Sequence, residues 1–140
     1  MALDYDTLLS KVENDLPFSY TDADSMLYAL GVGMGTNPLD QNELDYVYEQ
    51  GAPLKTVPTL ATVLVPEMFP VGLGWDNNQI LHSVQRLHLF RPLPPAAERV
   101  INKGVVDAFD RGPQRGALIL LEAGGRLASD DTGWCTMGCA

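Results

Sequence analysis

His82 and His88 are the chain's two histidines and its obvious groups for moving a proton near neutral pH. They stand six positions apart in a stretch that reads as one strand, so both point to one face, with Arg86 between them on that face. An imidazole so placed could serve as a general acid or base. Both histidines read more readily as half-buried strand residues. Upstream, Asn37-Pro38-Leu39-Asp40 reads by residue type as a turn, and its Asn37 and Asp40 are the other candidate groups. An exposed aspartate with a pKa of about 4 is a poor base at neutral pH. Cys135 and Cys139 are four apart and lack the C-x-x-C spacing of redox and zinc sites, so they read as ordinary thiols, with metal or redox chemistry the minor reading. No Ser/His/Asp nucleophile, phosphate-cradling loop or metal cluster is visible. Gly31-Val-Gly-Met-Gly35 follows a helix instead of a strand, which rejects a dinucleotide loop. No cofactor and no metal are therefore expected.

These residues need elements to hold them. Residues 1–20 read as a lead-in, weakly helical and closed by Pro17. Thr21-Asp22-Ala23-Asp24 opens a helix, with Thr21 as cap and two acids at the positive end of the dipole. Ala23, Met26, Leu27, Leu30 and Met34 form its apolar stripe, and Gly31, Gly33 and Gly35 end it after about three turns. Leu44 to Glu49 reads as a short strand, and Thr59 to Val65 is ambiguous between a buried strand and a helical turn. Pro66 to Asn78 is a loop unusually rich in large apolar groups. Gln79 to Arg91, Arg99 to Arg111 and Ala117 to Ala123 read as strands, the last apolar throughout and hence central. A fourth follows the turn at 129–133. A helix followed by antiparallel strands with tight turns is an α+β pattern. The 140 residues fit one domain.

Charge narrows the partners. A net charge of −9 with nine scattered Lys and Arg argues against nucleic acid. No apolar run reaches the roughly 18 residues of a membrane span, so no membrane is expected. The residues Met1 to Asp6 do not form a signal peptide, and the last residues are not a peroxisomal Ser-Lys-Leu address, so cytoplasm or peroxisome is expected.

Three segments in order carry a resemblance: Tyr20 to Gly33 with Leu44 to Glu49, Val57 to Leu64, and Leu81 to Pro94. Together they resemble the N-terminal half of MaoC-like (R)-specific enoyl-CoA hydratases, the type-2 hydratases, over residues 3–128. The resemblance implies a hot-dog-like fold, an antiparallel sheet on a shortened central helix. It also implies a double hot-dog enzyme whose C-terminal half hydrates trans-2-enoyl-CoA to (R)-3-hydroxyacyl-CoA, while the N-terminal half makes room for a long acyl chain. The family's catalytic stretch reads Gly-Asp-x-Asn-Pro-Leu-His. Here Met34-Gly35-Thr36-Asn37-Pro38-Leu39-Asp40 keeps Asn, Pro and Leu, with Gly35 where the catalytic Asp would stand and Asp40 where the His would stand. This resembles a duplicated motif that lost its chemistry; Asn37-Pro38 reads alternatively as a plain turn. The family segment Leu-His-Gly-Glu-Gln reads Leu81-His82-Ser83-Val84-Gln85 here, which implies a place for His82 on the tunnel wall.

The expectation is a lyase-family domain, residues 1–140 with 1–20 as lead-in, that binds an acyl chain and needs a catalytic partner. The partners expected are acyl-CoA or another apolar small molecule, and a homodimer or a hetero-oligomer with a second hot-dog domain. A stand-alone hot-dog enzyme of secondary metabolism (a cyclase, isomerase or dehydratase of a polyketide-like molecule) is the alternative, and a lipid-binding or regulatory subunit a third. The ligand pocket is expected between helix and sheet, walled by Met26, Leu30 and Met34 and by Met68, Phe69 and Trp75 of the loop, with His82 and Gln85 as its polar contacts.

Overall fold

The computed structural model describes residues 4–50, 53–65, 76–128 and 133–140. The described elements are α1 (Tyr5–Leu9), β1 (Val12–Tyr20), α2 (Asp22–Gly31), α3 (Gln41–Val47), a 3-10 helix over Pro58–Val63, a 3-10 turn over Asn77–Gln79, β2 (Gln85–Leu89), β3 (Ala97–Asp110), β4 (Ala117–Leu127) and β5 (Gly133–Cys139). The strands form one sheet in the order β1-β3-β4-β5-β2, and every neighbouring pair is antiparallel. The architecture is α+β, and the apolar strand at Ala117 is central, as its composition implies.

The strand period of two puts one face inward. Arg99, Ile101, Lys103 and Val105 of β3, Leu121 and Ala123 of β4, and Cys135, Met137 and Cys139 of β5 are buried on it. A bulge between Val105 and Asp107 shifts the phase, which turns Ala108 inward. Two short elements cover this face. The 3-10 helix brings Leu60, Ala61 and Leu64 together with Tyr20, Leu93 and Cys135. At the other end Leu8 of α1 packs with Val105, Ala108, Leu121 and Cys139.

Several expectations change. Residues 4–20 are structured: α1 is capped by Asp4, and β1 pairs with β3 along its length. Pro17 sits inside β1, which an edge strand tolerates because one row of its backbone groups needs no partner. Leu44 to Glu49 is not a strand; Asp40 caps α3, whose helix packs against α2. Pro58 at the first position starts a 3-10 helix in the ambiguous segment. The long strand of 79–91 shrinks to Gln85–Leu89, so His82 precedes the strand and does not share it with His88. Met68, Phe69 and Trp75 lie outside the described residues.

Helix α2 has the expected cap, a complete box between Thr21 and Asp24. Its buried face is not the expected stripe. Ser25 and Ala29 are buried, while Leu27 is 70% and Leu30 55% exposed. The cause is close approach. Ser25 Oγ donates to the Pro95 carbonyl at 2.6 Å, a distance that admits only small residues between helix and chain.

Beside it the Tyr20 hydroxyl donates to the Pro94 carbonyl at 2.5 Å and accepts from Arg99 Nη2 at 2.6 Å. Tyr20→Phe should therefore lower stability by about 1–3 kcal/mol, since a buried donor and acceptor lose their partner together. Urea unfolding checks this, and an unchanged midpoint would refute it.

Candidate functional site

Between them, β1, α2 and the 3-10 helix border an open, apolar depression of about 300 Å³. Phe18, Ser19 and Tyr20 of β1 form one wall, Asp24, Leu27 and Tyr28 of α2 a second, and Leu60, Val63 and Leu64 a third. The alternation of β1 directs Phe18 and Tyr20 to the same side, and the 3-10 spacing of Leu60, Val63 and Leu64 brings them to one patch. Polar groups at this pocket are already engaged. The Tyr28 hydroxyl donates to Thr59 Oγ1 at 3.0 Å. Burial raises the Tyr20 hydroxyl above its ordinary pKa, and the Arg99 guanidinium pulls the other way. The Asp24 carboxyl is held below its ordinary range by the Thr21 backbone N–H and hydroxyl. The lining can bind a chain of apolar atoms by burial. Among the described lining residues no group is set to shuttle a proton.

The sequence's candidates fall elsewhere. The Asp40 carboxylate accepts from the Asn42 backbone at 2.9 Å as the cap of α3. Asn37 Oδ1 accepts from Leu39 N–H at 3.1 Å, and the Asn37 N–H donates to Glu43. His82 Nε2 lies 3.0 Å from the Val84 carbonyl, which makes that nitrogen the donor. Each of the three candidates bonds a different local partner, and no hydrogen bond joins any two of them. His82, Gln85, Arg86 and His88 are all exposed. Met26 and Met34 are half-buried, and neither they nor Leu30 line the pocket.

Gly35 explains the altered motif physically. Its φ is +80°, and a Cβ there would stand 3.0 Å from Val47 Cγ2 and 3.6 Å from Leu30 Cδ2. An L-residue is disfavoured twice, by conformation and by space. The sequence reading missed Phe18, Tyr20, Tyr28, Leu60 and Leu64. The signal was the alternation Leu16, Phe18, Tyr20, obscured by Pro17.

The profile of the family described as MFE-2 hydratase 2 N-terminal domain matches residues 18–132. The chain is 28% identical over 119 residues to the enoyl-CoA hydratase ChsH3 of Mycobacterium tuberculosis, covering 80% of this chain and 41% of that protein. It therefore spans about two fifths of that relative's length. Its fold is similar to that of a MaoC-like dehydratase from Phytophthora capsici, with TM-score 0.75 and 20% identity over 96% of this chain and 46% of the other. It is also similar to a chain of the C-terminally truncated HadBC complex, a 3R-hydroxyacyl-ACP dehydratase from Mycobacterium tuberculosis, with TM-score 0.58 and 12% identity over 94% of this chain and 97% of that one. The fold is thus the hot-dog-like one that the resemblance implied, with α2, ten residues long, as its short helix.

Two outcomes follow from this geometry. Gly35→Asp should destabilise the protein by about 1–3 kcal/mol, read by thermal or urea unfolding; a variant as stable as the parent would contradict it. Burial pushes the Cys135 thiol up to about 11, against smaller opposing pulls from the Gly125 backbone and Arg99. Cys139 is also raised by burial. At pH 8 native Cys135 should react with a disulfide reagent about a hundredfold slower than an exposed thiol, and both cysteines should react freely in urea. Fast native labelling of Cys135 would show the burial to be wrong.

Proposed function

The chain belongs to the MFE-2 hydratase 2 N-terminal domain family, and on that premise we propose that it is the acyl-chain-binding, catalytically degenerate half of an (R)-specific enoyl-CoA hydratase or dehydratase. Residues 1–140 act as one domain in this reading, with the pocket of Phe18, Tyr28, Leu60 and Leu64 taking the hydrocarbon of a fatty-acyl thioester. The observation that carries it is the pocket, which is apolar, roomy and without a free acid–base pair among its lining residues. Burying a chain of methylenes there gains about 0.8 kcal/mol for each CH₂ removed from water. Chemistry needs an Asp and a His placed around one water. Gly35 offers no carboxylate, and Asp40 is committed to capping α3.

The acid–base pair would come from a second hot-dog domain. This is supported by the chain's spanning 41% of a curated relative. It is supported too by the HadBC structure, whose description is that of a complex. Strand β2 lies at one end of the sheet order, and among the described residues one of its edges carries no strand. An open edge is a ready place for pairing.

The isolated chain should not hydrate crotonyl-CoA. Loss of a general acid–base pair costs at least about 10²-fold in rate. A steady-state kcat of about 10 s⁻¹ or more, ordinary for enzymes, would refute the degenerate half and favour a stand-alone enzyme. Decanoyl-CoA should bind, with amide shifts at Tyr28, Leu60 and Leu64. Leu64→Phe, which adds volume inside the pocket, should weaken that binding by about tenfold, since overpacking costs on the order of 1–3 kcal/mol. Unchanged affinity in Leu64→Phe would remove the acyl chain from this pocket.

A further inference from the structure

Helix α2 turns Ser25 and Ala29 to the protein and Leu27 and Leu30 to water. Leu27 is 70% and Leu30 55% exposed, one turn apart on one stripe, and Val63, 59% exposed, lines the same pocket as Leu27. A helix whose period-3.6 apolar stripe faces solvent presents a surface suited to a neighbour. The stretch of chain that carries the stripe has charge of one sign. Between Thr21 and Leu54 the chain carries the carboxylates of Asp22, Asp24, Asp40, Glu43, Asp45 and Glu49 and no Lys, Arg or His. Lys55, just beyond, pairs with Asp45 at 2.7 Å. Leu30 lies near the α2–α3 contact, since its Cδ2 and the Val47 side chain both face Gly35.

This charge selects the occupant. A second copy of the chain would bring the same six carboxylates against these, and like charges brought together oppose association. An anionic lipid surface is repelled for the same reason. A small acyl ligand is accommodated by the pocket and leaves Leu30 outside it. We infer that the Leu27–Leu30 face of α2 is a docking surface for a polypeptide segment whose apolar residues recur at helical spacing and are bordered by Lys or Arg. The inference goes beyond the hydratase reading, because it requires neither catalysis nor an acyl ligand.

The probe is a short amphipathic peptide of Leu and Lys, with Leu at i, i+3, i+4 and i+7, beside a twin in which Glu replaces Lys. Calorimetry and amide shifts on the intact chain read the result. The Leu/Lys peptide should bind with shifts centred on Ala23 to Leu30, and more weakly as salt rises. The Leu/Glu twin should bind at least about tenfold more weakly, as the loss of charge complementarity demands. The decisive variant is Leu27→Asp with Leu30→Asp, which should weaken Leu/Lys binding by more than about tenfold through lost apolar contact although it adds negative charge. Leu30→Ser alone, the milder change, should fall in between and keeps the test readable if the double variant folds poorly. Equal or tighter binding by Leu30→Ser and the double variant would mean simple charge attraction and overturn the inference. Equal binding of the two peptides would overturn it too, as would sedimentation showing a dimer of the chain that Leu30→Ser dissolves. Failure of decanoyl-CoA to bind sinks the hydratase reading and leaves this one standing.

Discussion

Arg99 is 1% exposed on β3, its Cζ 5.0 Å from the centroid of the Tyr20 ring and its Nη2 bonded to the Tyr20 hydroxyl. That hydroxyl in turn donates a hydrogen bond to the Pro94 carbonyl. A buried guanidinium is costly unless its donors and its charge are answered, and here a ring face and a phenol oxygen answer part of it. These bonds tie two distant stretches together: the end of β1, and the proline segment that leads into β3. Prolines suit that segment, since their fixed φ holds carbonyls still and they bring no N–H of their own to be satisfied.

The position of α2 follows from this tie. Tyr20 ends β1, Thr21 caps the helix one residue later, and Ser25 reaches the Pro95 carbonyl next to the one Tyr20 uses. The helix is therefore held near the Pro94-Pro95 segment by hydrogen bonds instead of by its leucines. Close approach leaves Ser25 and Ala29 inside, turns Leu27 and Leu30 out, and leaves space between α2 and the 3-10 helix that becomes the pocket. A long central helix would cover this space with its own side chains. Ten residues do not reach.

The stretch from Gly35 to Asp40 has a local explanation in the same terms. Thr36, Asn37 and Asp40 spend their polar groups on Glu43, Leu39 and Asn42, which together start α3. Gly35 meets Val47 of that helix at a distance no side chain tolerates well. Asn and Pro are kept because a turn before a helix needs them, and the carboxylate position closes because α3 packs there.

The residues alone determined whatever depends on near neighbours. The α2 cap and its end, the turn at 112–116 and the β3 and β4 strands were legible, because propensity, capping and strand alternation act over a few residues. The order of three weak segments was enough to point to the family. What the tertiary structure alone decided were orientations and partners. An apolar stripe on α2 reads inward by default, and only the Ser25–Pro95 contact turns it outward. Tyr46 and Val47 favour a strand by type, yet Asp40 and a neighbouring helix make α3. Val12 to Tyr20 became sheet because β3 offered it an edge. The pocket brings Phe18 and Tyr28 of neighbouring elements against Leu60, which lies 32 residues beyond Tyr28. Such meetings are set by long-range packing, which a local pattern does not encode.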